Sequence, residues 1–172
     1  MFLNYIKEIS LKRILKNSYK VLNNNQNLTI IKSVGLIIDE SNFDKSEKLI
    51  NEIVAGGIRK DNIKVIVYKD KLNQNEVFSY PTFNNKHINF SGKFTEKVVI
   101  DFINNQFDLL ISYYEIEKSS LQIITNNSKA NFKVGFANVD KRLNHLMINT
   151  RLDNYKIFTF EVFKYLKILK KI

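Results

Sequence analysis

Cysteine and tryptophan are absent from this 172-residue chain, proline occurs once and glycine five times. Without a thiol there is no disulfide framework, no thiolate nucleophile and no cysteine-bound zinc site. That absence fits a reducing compartment. Few prolines and glycines mean few breaks in regular structure. No uncharged apolar run reaches the roughly 18 residues that a membrane-spanning helix needs. A secretory leader places charge ahead of its apolar stretch and closes on small residues. The opening Met1–Ile6 is apolar but short, and Lys7 and Glu8 interrupt it. The expected location is therefore the cytoplasm.

What is present is a globular composition, 44% hydrophobic and 12% aromatic. The length suits one domain with a proper core. The formal charge is +10 and is concentrated at the two ends. Lys7, Lys12, Arg13, Lys16 and Lys20 face only Glu8 near the start, and Lys164, Lys167, Lys170 and Lys171 face only Glu161 near the finish. A near-neutral body with basic ends attracts polyanions such as RNA, DNA or an anionic membrane face. Abundant Asn, Lys and Ile also mark an AT-rich coding sequence, which accounts for part of the lysine surplus.

Residues Leu11 to Leu22 form an amphipathic helical pattern at about 100° per residue. Leu11, Ile14, Leu15, Tyr19, Val21 and Leu22 share one side, and Lys12, Arg13, Lys16 and Lys20 the other. Asn23 to Asn27 then reads as a linker, giving a basic helix and linker over 1–27 and a single domain over 28–172. The apolar run at Ser33–Asp39 predicts a strand buried on both faces. Asp44–Glu47 has capping-box spacing, Leu49, Ile50, Ile53 and Val54 follow helical spacing, and Gly56-Gly57 stops the helix. Asn62–Tyr68 is a second strand, completing a βαβ unit. Further on, the pattern predicts a short strand at His87–Phe90 and a helix capped by Thr95 that runs to Asn105. A strand at Phe107–Tyr113 and a helix around Leu121 and Ile124 follow. The last elements are strands at Phe132–Ala137 and His145–Thr150 and a closing helix over Thr159–Ile172. Alternation of this kind predicts a three-layer, Rossmann-like α/β domain with a mostly parallel sheet of about five strands.

The turn after the first strand, Asp39 to Asp44, has no phosphate-binding glycines, and its carboxylates repel a pyrophosphate. Gly92-Lys93 has no second glycine upstream at P-loop spacing. Neither His87 nor His145 lies in a nucleophile-elbow context. Asp39, Glu115 and Asp140 each fall just past a predicted strand, at the sheet edge where ligands bind. Converging there, they would hold a divalent cation for phosphoryl chemistry; standing apart, they cap turns and helices. Arg142 is a candidate phosphate clamp or the partner of Asp140. Tyr113-Tyr114 is either a base-stacking surface or a closure of the core. No metal site and no cofactor are expected from these residues.

The pieces FDLLISYY, SKANFKVGFANVD and RLNHLMINT between Phe107 and Thr150 resemble an uncharacterised family of small basic α/β proteins from Bacteroidota. The resemblance implies no activity and no catalytic residues. More distantly, the strand–helix–FKVGFA order is similar to the first domain of heptosyltransferase-type glycosyltransferases. It implies a Rossmann-like fold; the second, sugar-nucleotide-binding domain of those enzymes has no counterpart here.

The functional expectation is a non-enzymatic binding protein that docks on RNA or a ribonucleoprotein. Its phosphate contacts would come from Lys12, Arg13, Lys16, Lys20, Lys167, Lys170 and Lys171. The alternative is a small metal- or nucleotide-dependent enzyme working at Asp39, Glu115 and Asp140, with Arg142 or Lys93 as phosphate partner. An anionic membrane surface ranks third. Phe2, Leu3 and Ile6 suit insertion beside the first helix, but an apolar face that binds the helix to its own sheet cannot also face lipid.

Overall fold

The computed structural model describes residues 2–20, 22, 30–73 and 76–172. Six strands, β1 (Val34–Asp39), β2 (Ile63–Tyr68), β3 (Thr82–Phe83), β4 (Leu109–Tyr113), β5 (Phe132–Phe136) and β6 (Leu146–Ile148), form one sheet. The spatial order is β3-β2-β1-β4-β5-β6, and every neighbouring pair is parallel. Helices α1 (Phe2–Ser18), α2 (Ser46–Ala55), α3 (Lys97–Asn104), α4 (Ser119–Asn127) and α5 (Tyr155–Ile168) cover it. This is the Rossmann-like α/β architecture that the alternating pattern predicts. The continuous apolar runs fall where both faces are covered: every residue of β1, β4 and β5 is buried.

The two covering layers can be told apart at β4, because successive strand side chains point to opposite faces. The Ser112 hydroxyl shares a hydrogen bond with Thr125 of α4 at 3.1 Å. The next residue, Tyr113, packs its ring on Phe158 of α5 at 5.0 Å and on Phe43, just before α2, at 4.8 Å. Helix α1 packs on α4, and α2 packs on α5. The basic first and last helices therefore lie on opposite faces of the sheet.

Several local expectations change. The first helix spans Phe2–Ser18, starting earlier than the Leu11–Leu22 pattern and ending sooner. Lys7 and Glu8, which interrupt the apolar run but favour helix, lie within it and reach protein partners: Lys7 donates to the Asn85 carbonyl at 2.5 Å, and Glu8 accepts from Ser119 at 2.5 Å. Val21 and the Asn23–Asn27 linker lie outside the described residues. Helix α2 has Lys45 at its N-cap and no capping box. Ser46 donates to Glu40 instead, and Glu47 accepts from Tyr80. Gly57, at φ 106°, stops α2, and Gly56 lies so close to Phe163 that a Cβ would sit 2.4 Å from that ring.

The strand expected at His87–Phe90 is a short 3-10 turn (Asn85–His87) and one isolated bridge, Ile88 to Phe94. The sheet's edge strand β3 follows Pro81 instead, where the proline carbonyl accepts from Val67 and no N–H is needed. Thr95 does not cap α3; its hydroxyl donates to His87, and Glu96 takes the N-cap. Helix α5 begins at Tyr155, ahead of the expected Thr159.

Candidate functional site

Strand order reverses at β1, which pairs with β2 on one side and β4 on the other. Ligands of open α/β sheets bind in the crevice beyond these carboxyl ends. Here the crevice is occupied by the protein's own charges. Asp39 closes β1 and is 1% exposed, accepting from the Ser41 amide at 3.1 Å and the Asn42 side chain at 2.9 Å. The Lys118 ammonium, at the start of α4, reaches Asp39 at 2.9 Å and Asp70 at 3.0 Å, and lies 4.6 Å from the centre of the Tyr68 ring. Tyr68 in turn donates to Asp70 at 2.9 Å. Burial pushes the Asp70 carboxyl up, but the hydrogen bonds from Lys118 and Tyr68 outweigh it and hold the group below its ordinary range. This network ties the ends of β1 and β2 to α4 across the switch point.

The neighbouring cleft at the start of α2, about 500 Å³, is lined by Glu40, Glu47 and Glu76. Lys69 pairs with both Glu40 and Glu76. Lys45 and Lys48 line the same cleft, so the start of α2 presents charges of both signs.

The other two carboxylates are engaged apart from Asp39. Glu115 accepts from the Leu152 amide at 3.2 Å and secures the loop that leads to α5. Asp140 receives Arg142 bidentately, Nε at 3.0 Å and Nη2 at 2.6 Å, and the Tyr19 hydroxyl at 2.9 Å. The Arg142 guanidinium holds the Asp140 carboxyl well below its usual range. Burial, followed by the hydrogen bond to Asp140, pushes the Tyr19 hydroxyl up to about 12. Arg142 also stacks 3.6 Å from the Tyr19 ring centre, so its fork is spent on Asp140. No group of three or more His, Asp or Glu side chains among the described residues is placed to hold a metal ion. Tyr113 and Tyr114 are fully buried and offer no open stacking surface; Tyr113 donates to the Leu152 carbonyl at 2.5 Å, and Tyr114 bonds to Thr125 at 2.8 Å. Lys93 is exposed in the turn beside Gly92.

The basic ends differ from one another. On α1, Lys12, Arg13, Lys16 and, just past the helix, Lys20 are all exposed. Lys20 donates to the Asn127 carbonyl at 3.3 Å, while Lys12, Arg13 and Lys16 make no ion pair among the described residues. On α5, Lys156 and Lys167 and, just past the helix, Lys170 are exposed and make no ion pair among the described residues, while Lys164 pairs with Glu161 at 3.0 Å. Lys171 departs from the exposed set. It is 5% exposed, its ammonium lies 5.1 Å from the Phe132 ring centre, and its backbone carbonyl accepts from Ile31.

Two features escape the sequence reading. Lys118 is 79 residues from Asp39, and only the strand order brings them together. The second is the outward face of α1. Inward, Leu11 and Leu15 are buried and Ile14 is half-buried. Outward, Phe2, Tyr5, Ile6 and Ile9 are all exposed and continue, at helical spacing, into Arg13 and Lys16. That face was legible in the spacing once the helix is allowed to start before Lys7.

These elements define a three-layer α/β protein of Rossmann-like strand order whose switch-point crevice is closed by an Asp–Lys–Asp network. The chain belongs to a family of unknown function, DUF6913, whose model matches residues 7–169. The matched span contains Lys12, Arg13, Lys16, Lys20, Asp39, Lys118 and Arg142, and Phe2, Tyr5 and Ile6 precede it. No curated protein and no solved structure matches the chain.

Proposed function

We propose that this chain is a non-enzymatic binding protein that docks through the outward face of α1 on a dense array of phosphodiesters, as displayed by RNA in a ribonucleoprotein or by the headgroups of an anionic bilayer. The observation that carries this reading is the exposed series Lys12, Arg13, Lys16 and Lys20, three of them without an ion pair among the described residues. Cations already matched to carboxylates have little left to give a partner, and these three are not matched. The engagement of Asp39, Glu115 and Asp140 with Lys118, Leu152 and Arg142 favours binding over catalysis at the sheet edge.

Docking through both ends at once is disfavoured, since α1 and α5 lie on opposite faces of the sheet. The test uses two variants with equal charge loss. In one, Lys12, Arg13, Lys16 and Lys20 become Gln; in the other, Lys156, Lys164, Lys167 and Lys170 become Gln. On a heparin matrix the α1 variant should elute at distinctly lower salt than the wild-type chain, and the α5 variant close to it. Equal shifts for the two would mean that net charge alone governs retention, and the reading would fail.

A further inference from the structure

We infer that the phosphodiester array met by α1 is the surface of an anionic bilayer, with the first two turns of the helix entering between the headgroups. This rests on the docking reading above and names its partner. Phe2, Leu3 and Tyr5 are 74%, 68% and 67% exposed, and Ile9, one turn after Tyr5, is 51% exposed. Apolar surface of this extent on a soluble domain marks an interaction site. An RNA backbone gives Ile6 and Ile9 no apolar counterpart. A bilayer interface accepts both halves of the face. The apolar half enters roughly 5–10 Å, to the acyl boundary, and the basic half stays at the phosphates.

The two halves are segregated along the helix, which suits an oblique approach to a flat surface. At 1.5 Å per residue, Phe2 to Ile9 covers about 10 Å, Lys12 to Lys16 follows over about 6 Å, and Lys20 lies just past the helix end. Leu11 and Leu15 hold α1 against the body, and Lys7, Glu8 and Ser10 tie its inward side to Asn85, Ser119 and the Phe90 carbonyl, which leaves Phe2, Tyr5, Ile6 and Ile9 on the outward side. The Phe90 ring, 48% exposed, widens the apolar patch. The objection that a helix cannot use one apolar face twice does not hold, because α1 has two: Leu11, Ile14 and Leu15 inward, and Phe2, Tyr5, Ile6 and Ile9 outward.

Helix α5 also exposes apolar groups, Ile157, Phe160, Tyr165 and Ile168, among Lys156, Lys164 and Lys167. There lysines are interspersed along the whole helix instead of following an apolar half, Lys164 is matched by Glu161, and the helix faces away from α1. A flat bilayer that meets α1 does not meet α5.

The chain has no tryptophan, so Phe2→Trp places a single selectively excitable reporter at the tip. The probes are vesicles of phosphatidylcholine, vesicles in which about a third of the lipid is phosphatidylglycerol, and total RNA. With the anionic vesicles the emission should move to shorter wavelength and resist acrylamide quenching; with neutral vesicles and RNA it should not. The pair Ile6→Asn and Ile9→Asn, both at exposed positions, should weaken sedimentation with anionic vesicles at least tenfold without lowering the melting temperature. Phe160→Asn on α5 should leave sedimentation unchanged. Salt-sensitive RNA binding with no emission shift on vesicles would overturn the bilayer assignment and leave the docking reading standing. Vesicle binding that Phe160→Asn abolishes, or that the Ile6 and Ile9 changes leave intact, would also overturn the assignment. Binding to neither probe would overturn both.

Discussion

Lys133 is a buried lysine without a carboxylate, and it illustrates how much single side chains decide here. It lies on β5, is 5% exposed, and donates to the carbonyls of Thr125 and Asn126 at the C-terminal end of α4, at 2.6 and 3.3 Å. The last carbonyls of a helix have no intrahelical donor, and an ammonium there meets the negative end of the helix. Burial, with a smaller contribution from Lys20, lowers the Lys133 ammonium to about 8. A base with a depressed folded pKa holds fewer protons when folded than when unfolded across the window between the two values. Stability from this group therefore rises with pH between about 8 and 10.5, and the cost of burying the charge is fully present below that window. Against Lys133→Met, which does not titrate, the wild-type chain should gain up to about 3 kcal/mol of relative unfolding free energy across this window. Urea unfolding of both proteins as a function of pH checks it. A constant difference would contradict the assignment.

At the scale of elements, the switch-point network is the tie between β1, β2 and α4. Asp39 is the more deeply buried partner, and taking Lys118 away would leave its carboxylate buried without a cation. Breaking such a pair costs more than the pair contributes, so Lys118→Met should lower stability by about 3 kcal/mol, while adding Asp39→Asn should recover much of the loss. Unfolding free energies of the single and double variants measure this; a single variant within about 0.5 kcal/mol of wild type would show the tie to be slack. The elements themselves were unevenly legible. β1, β2, β4 and β5 stand out because parallel strands covered on both faces read as continuous apolar runs. β3 does not, since two residues, Thr82 and Phe83, carry no period. The N-caps of α2 and α3 fall one residue after the expected Asp44 and Thr95, and the expected capping side chains bond elsewhere: Glu47 with Tyr80, and Thr95 with His87. The carboxylates past β1, β4 and β5 were legible as candidates. The pairing of Asp140 with Arg142 was legible too; the engagements of Asp39 and Glu115 were not, because Lys118 and Leu152 reach them only through the tertiary fold.

For the whole molecule, the decisive fact is how charge and apolar surface are distributed over two opposite faces. The sequence places basic residues at both ends and suggests one combined electrostatic footprint. The sheet separates them, buries Lys171 and matches Lys164 with Glu161; Lys156, Lys167 and Lys170 stay exposed at the α5 end, while α1 sets Lys12, Arg13 and Lys16 in line with an exposed apolar face. The central claim is that α1, and not α5, is the docking face. Residue-resolved lysine acetylation rates, measured with and without saturating anionic vesicles or RNA, address it most directly. The account predicts slowed modification of Lys12, Lys16 and Lys20 on binding, with Lys156, Lys167 and Lys170 unchanged. Protection of the α5 lysines, or equal protection of both sets, would contradict it.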